Sequence, residues 1–380
     1  MRVALSNVIL YIAIIYNKKN ARAAHAINYY SKISYFCDFM MKNYLTVRQR
    51  KSLENLDKNG NVKDILQKEG IRKFTQDIRS MRRKQLIDNF SYKNSNKVNA
   101  TLLIKNLIWQ AAMWIQQGKM PRVDGNIRSF WYANVKPVLS RLGLSVSGTR
   151  FTNDVYYCFV KLRLLGLFTY LDLGFLDERG HARVIGKERG NLILFVEKDG
   201  LFSVIRKLAL QYGITGISLN GFPSYLTTEF LLKDMQASGL QGRPIKLFSV
   251  VDYDPSGYWI EREFVQQFRD YGMEVASVTT LVEPKFLPQD LLETCKYRLR
   301  KGTQSNNWLN ATGGIAGQAY GMEVDVLGAT RIAEAVEREF TVKALLESAQ
   351  IQMPPTQSTF QSKEDKFEKR ISQQKLWEDS

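Results

Sequence analysis

Apolar residues recur along this chain in two different rhythms, and the change between them falls near residue 190. Upstream the spacing is helical. In Thr101–Gln117 the apolar positions Leu103, Ile104, Leu107, Ile108, Ala111 and Ile115 come at three- and four-residue steps, which predicts a helix with one buried face. A second helix is predicted from Asn126, a residue type whose side-chain oxygen caps helix N-termini. Its core-facing stripe is Ile127, Trp131, Val135, Val138 and Leu142. A third is expected over roughly Thr152–Leu165, with Val155, Phe159 and Leu162 on one face. From Asn191 onward the apolar residues come in short runs. Strands are expected at 191–197, 214–219, 245–252 and 273–278, with helices near 201–212, 224–238 and 256–271 between them. That alternation predicts a mostly parallel sheet covered on both faces.

Between the two regimes, Leu167–Leu173 and Ala182–Ile185 read as two short strands around the turn Asp177-Glu-Arg-Gly180. Three helices followed by a small hairpin is a winged-helix pattern, and its third helix would carry Arg150, Lys161 and Arg163 toward a DNA groove. Residues 1–95 read as a basic helical region, and Ser91–Asn99 as a polar linker. The expected organisation is therefore α/β and multidomain. It comprises the basic helical region (1–95), a winged-helix domain (96–190), a sheet-bearing domain (191–345) and a polar tail (346–380). No internal repeat is visible.

Charge sharpens this division. The 380 residues carry a formal net charge of +17. Residues 1–190 hold 33 Lys and Arg against 13 Asp and Glu, a net of +20, whereas residues 191–380 hold 21 against 24, a net of −3. A basic half joined to a near-neutral half suggests a polyanion gripped by one part and worked on by the other. Cys37, Cys158 and Cys295 have no metal-ligand spacing and an odd count, which fits a reducing interior. With only His25 and His181, far apart, a zinc site or a histidine-based triad is not expected. The apolar stretch Val3–Tyr16 is shorter than the roughly 20 residues a bilayer span needs. It is read as a buried or partner-docking helix of a protein without a membrane partner.

The chemistry-bearing residues lie on both sides of the boundary. The strand-like run Ile245–Val251 leads straight into Asp252-Tyr-Asp254-Pro-Ser-Gly257, and Leu192–Val196 leads into Glu197-Lys-Asp-Gly200. Parallel sheets bind ligands at the carboxyl ends of their strands. Three oxygen donors there suit magnesium, which commonly uses one or two carboxylates together with water and substrate phosphate. Upstream, Tyr132 lies off the core stripe of the second helix, with Arg128 four residues before it and Lys136 four after. Helical geometry puts all three on one face. Cations favour the phenolate, the form a tyrosine nucleophile needs. Pro137 is expected to kink or end the helix at Lys136. Tyr156 and Tyr157, a rival aromatic pair, are assigned to packing of the third helix.

Taken in order, Arg128-Ser-Phe-Trp-Tyr132-Ala-Asn-Val135, Glu197-Lys-Asp-Gly200, Asn220-Gly-Phe-Pro223, Asp252-Tyr-Asp-Pro-Ser-Gly257 and Met322-Glu-Val-Asp-Val-Leu327 resemble a known family. They are similar to the motifs of the A subunit of topoisomerase VI and its meiotic relatives, which make programmed double-strand breaks. The resemblance covers about residues 100–340. Phe222 stands where tyrosine is common in the family, and Trp131 where a smaller aromatic is usual. The resemblance implies a winged-helix (CAP-like) domain followed by a Toprim domain. It also implies Tyr132 as nucleophile through a 5′-phosphotyrosyl link, Arg128 on the scissile phosphate, and Mg2+ held by Glu197, Asp252 and Asp254. Lys136, Arg141, Arg150, Lys161 and Arg163 are the expected DNA contacts. Further implications are a homodimer in which Tyr132 faces the partner's acids, double-stranded DNA as substrate, a separate ATPase B-type subunit, and an intracellular, DNA-associated location. A hydrolytic Toprim nuclease of a defence system and a non-catalytic DNA-binding scaffold remain as alternatives.

Overall fold

In the second half, three helices alternate with parallel strands. Strand β1 (Arg183–Val184) is followed by β2 (Arg189–Val196), β3 (Ile214–Ser218), β4 (Ile245–Val250) and β5 (Val275–Thr280), which form one sheet in the order β1-β3-β2-β4-β5. The pairs β2–β3, β2–β4 and β4–β5 are parallel, and the two-residue β1 lies antiparallel on the edge of β3. The runs Leu192–Val196 and Leu247–Val250 are nearly free of polar side chains because both faces of the sheet are covered there. The helices Phe202–Tyr212, Tyr225–Ala237 and Pro255–Asp270 follow β2, β3 and β4. Their starts and stops are local chemistry. Ser224 and Asp254 cap two N-termini through side-chain oxygens, and Gly213, at a φ of 66°, ends the helix from Phe202 in the left-handed region. A small antiparallel pair, β6 (Lys296–Arg298) with β7 (Tyr320–Met322), closes over the carboxyl edge.

This computed structural model describes residues 45–340. The segment Val3–Tyr16, the first part of the basic region and the polar tail lie outside the described residues.

The first half is helical, as its periodicity requires. The helix Ala100–Gln116 buries Leu103, Ile104, Leu107 and Ile108. It also buries two amides with stated tasks: Asn106 accepts the Arg72 backbone N–H at 2.9 Å and Gln110 that of Ile78 at 2.9 Å. These bonds pin the preceding loop to the helix and satisfy backbone donors that would otherwise be buried unpaired. The second helix begins where expected: Asn126 accepts the Ser129 N–H at 2.8 Å. All five residues of its predicted stripe are buried. Tyr225, Leu226 and Phe230, from a helix of the sheet-bearing half, join the same apolar core as the helical half.

The winged hairpin is the clearest departure. Residues 167–173 form turns, with Leu167, Phe168, Tyr170 and Leu173 buried in the helical core. The other expected strand survives only as Arg183–Val184, and it pairs with Ile217 and Gly216 of β3. The sheet thus begins at Arg183, ahead of residue 191. Apolar spacing alone cannot distinguish a buried strand from a buried turn; here the next segment found a better edge on β3.

Candidate active site

Two clusters carry the chemistry, and each is built by its own neighbours. Around Tyr132 the helix changes pitch. Ile127–Phe130 is α-helical, Trp131–Val135 is a π turn, and Lys136–Arg141 is α-helical again. The Lys136 N–H reaches back to the Trp131 carbonyl. The wide turn accommodates Pro137, which has no N–H to donate and whose ring would press on a carbonyl in a regular α-turn. The helix therefore continues through Pro137 and does not stop there, and Lys136 lies against the Tyr132 ring.

The stripe at Ile127, Trp131 and Val135 holds the helix down, and Tyr132, 48% exposed, is left pointing outward. Arg128 Nη2 stands 3.5 Å from its hydroxyl, and Lys136 Nζ lies 4.7 Å from its ring centroid. The hydrogen bond and charge of Arg128, with Lys136 adding to them, pull the phenol below its ordinary pKa.

The second cluster forms at the carboxyl edge of the sheet. Val196 of β2 is in register with Val250 of β4, so Glu197 and Asp252 leave neighbouring strands at the same edge. Asp254 caps the next helix, accepting the Gly257 N–H at 2.8 Å through Oδ1, while its Oδ2 takes the Tyr297 hydroxyl at 2.7 Å. Gly257 is required by this turn: a Cβ there would meet the Asp252 carbonyl oxygen at 2.0 Å. The segment after β7 docks on the same loop. Tyr253 and Met322 exchange backbone hydrogen bonds, and the Val324 N–H donates to Asp252 Oδ1 at 2.9 Å. Lys198 completes the cluster, with Nζ 3.1 Å from Asp252 Oδ1 and 2.9 Å from Asp325 Oδ2.

Electrostatics here run opposite to those at Tyr132. Burial, then repulsion from Asp252 and Asp254, raises Glu197 well above the ordinary carboxylate range. Burial also pushes Asp252 up to about 6, with Lys198 opposing the shift and Asp254 adding to it. Glu197 Oε2 is buried without a hydrogen-bond partner. An orphaned, sheltered carboxylate oxygen beside two further carboxylates matches the donor chemistry of a hard cation. Among the described residues no three acids, histidines or cysteines form a ready-made metal cage. Magnesium, which keeps several waters, does not require one. The donor set therefore fits the ion in chemistry while leaving its closure to water and substrate.

The loop 173–183 links segments that flank the two clusters. Val123 donates to the Leu173 carbonyl at 2.9 Å, Leu176 to Gly125 at 2.8 Å, and Asn126 Nδ2 to Glu178 at 2.6 Å. One residue on, Arg179 pairs with Asp199 and donates to the Ser218 carbonyl at 3.1 Å. Tyr132 itself makes no hydrogen bond with Glu197, Asp252 or Asp254 among the described contacts.

The expected DNA-contacting cations fare unequally. Lys161 is paired with Glu69, and Arg163 with Glu229, both in sheltered positions. Arg163 also lies over the Tyr271 ring. Both cations are engaged within the fold: Arg163 is sheltered against Glu229, and Lys161 shares Glu69 with Lys105. Arg150 is tied to Asp154 within its own helix. Arg141 is exposed but donates to the Arg79 carbonyl. Tyr156 is buried, its hydroxyl accepting the Tyr225 N–H, and Tyr157 reaches Ser52 Oγ at 2.8 Å, so both belong to packing.

Lys198 and Asp325 stand inside quoted motifs, but nothing in their spacing announced the bridge. Tyr297 carried no sequence signal. Compared with family profiles and with curated proteins, the chain matches none, so the resemblance rests on its motifs. No helix among the described residues is long and apolar enough to cross a membrane.

Proposed function

We propose that the chain is a magnesium-dependent DNA-cleaving transesterase of the type IIB topoisomerase A-subunit kind, with a winged-helix-like helical part and a Toprim-like sheet. The observation that carries this reading is Tyr132: an exposed phenol on an otherwise buried stripe, clasped by two cations and shifted toward its nucleophilic form. The Tyr132 oxygen attacks a backbone phosphorus, a 5′-phosphotyrosyl bond forms, and the bond to the 3′-oxygen breaks. The phenolic proton passes through water to the departing 3′-oxygen, which becomes a hydroxyl. Because one phosphodiester replaces another, the reverse attack reseals the strand without ATP.

Arg128 offers charge-assisted hydrogen bonds to the phosphate as its charge develops. Lys136 lies against the ring, 4.7 Å from its centroid. Glu197, Asp252 and Asp254 would hold the ion, which when bound would neutralise charge on the phosphate. In a homodimer, Tyr132 of one protomer would meet the acids of its partner. Duplex DNA would be gripped mainly through phosphates. Of the expected set, Lys136 and Arg141 are the cations offered for that task, while Arg150, Lys161 and Arg163 are each paired with a carboxylate. ATP, if strand passage occurs, would be used by a separate B-type subunit.

The test is incubation of the full-length chain with labelled duplex and magnesium, followed by denaturation. A covalent protein–DNA adduct that disappears in Tyr132→Phe is the expected result. Free cut ends that persist in that variant would establish a hydrolytic nuclease instead. Intact duplex, with and without an added ATPase subunit, would leave a DNA-binding scaffold.

A further inference from the structure

Lys198 occupies a position that the reading above does not explain. Its ammonium stands 3.1 Å from both oxygens of Asp252 and 2.9 Å from Asp325 Oδ2. The two acids differ in shelter: the Asp252 side chain is 11% exposed and that of Asp325 is 52% exposed. The lysine therefore spans from a buried carboxylate, one of the three ion donors, to an open one at the rim. A divalent ion on Asp252 would need lone pairs that the ammonium now uses, and two cations at that distance repel.

We infer that Lys198 is a built-in counter-ion that competes with the divalent cation for Asp252 and is transferred to Asp325 when the ion arrives. This rests on the metal reading proposed above. Three features give the exchange its parts. Glu197 Oε2, the buried carboxylate oxygen without a partner, is the first foothold for an incoming ion. The Val324 N–H keeps Asp252 Oδ1 in place whether or not the lysine is there. Asp325, one residue beyond Val324 in the same 3-10 turn, is already in contact with the lysine, so the transfer needs only a small side-chain movement. Before ion binding, the same lysine offsets the repulsion among the clustered acids. It thereby keeps the edge folded at the expense of ion affinity.

The experiment is a thermal-unfolding titration of the full-length protein with MgCl2, without DNA. It compares wild type with Lys198→Met, Lys198→Arg, Asp325→Asn and the double variant Lys198→Met/Asp325→Asn. Lys198→Met should lower the half-saturating Mg2+ concentration about tenfold, the small end of what one close charge does to a carboxylate. Lys198→Arg, which keeps the charge, should stay near wild type. Asp325→Asn should raise the half-saturating concentration, because the lysine loses its second acceptor. The double variant should match Lys198→Met, since Asp325 acts only through the lysine. A double variant that returns to the wild-type value would mean independent field effects and would overturn the exchange. Lys198→Met with unchanged or weaker binding would overturn it too, while leaving the metal site intact. A wild type with no magnesium response sensitive to Glu197→Gln would remove the metal site and this proposal together. Should Lys198→Met fail to fold, Lys198→Gln carries the same expectation.

Discussion

Around Tyr132 the acid is exposed and its neighbours are cations; around Glu197 the acid is buried and its neighbours are acids. The first arrangement makes a weak acid stronger, and the second makes stronger acids weaker. Each uses the cheapest means its location allows. An exposed phenol cannot be shifted by desolvation, so charge must be brought to it on the same helical face. Buried carboxylates need no added charge to be perturbed, because low polarity and mutual repulsion suffice. The difference teaches that the tyrosine cluster is complete without a ligand, while the acid cluster is under electrostatic stress that a cation would relieve.

The largest effect is expected from neutralising the stressed acid. Glu197→Gln should reduce magnesium-dependent cleavage by about 1000-fold, the scale of losing a main electrostatic support of the transition state. The same variant should be more stable than wild type in the absence of metal. The sign follows from the direction of the shift. An acid raised in the folded state costs nothing at low pH, where it is protonated, and destabilises progressively as pH rises. The advantage of Glu197→Gln over wild type should therefore be small near pH 4 and grow above it, as urea unfolding at several pH values would show. An equal advantage at all pH values would break the comparison.

Next, Gly257→Ala should destabilise the protein by about 3 kcal/mol, because its methyl has no room against the Asp252 carbonyl. The readout is the urea midpoint, and it would show that the acid cluster depends on close backbone approach. Arg128→Ala should leave stability nearly unchanged yet slow adduct formation about 100-fold. It should also move the rising limb of the pH–rate profile to higher pH, because the phenol loses the partner that lowers it. Lys136→Ala should act in the same direction by only a few-fold, consistent with ring contact and longer-range charge. If Lys136→Ala proved the more damaging, the assignment of Arg128 to the hydroxyl would be reversed.

Most of this architecture was readable before any coordinates. The strands followed from uninterrupted apolar runs and the acids from their position behind those runs. The Arg128–Tyr132–Lys136 face followed from four-residue spacing. What stayed hidden depended on partners distant in sequence. Arg163 looks like any exposed cation until Glu229, 66 residues later, is brought against it. Tyr297 becomes part of the site only because Gly321 leaves room for its ring beside Asp254. The false hairpin has the same origin, since Leu167–Leu173 is apolar enough for a strand but was claimed by the helical core. Pro137 misled for a subtler reason. A proline rule assumes an α-helix, and one π turn removes the premise.

The loop 173–183 has a mechanical consequence. At one end it is fastened by hydrogen bonds to the stretch entering the tyrosine helix, and at the other by Arg179 to Asp199 and the tip of β3. Any tilt of that helix must either drag this tether with it or break its hydrogen bonds. The two ends of this short span therefore link the start of the tyrosine helix to Asp199, two residues beyond Glu197.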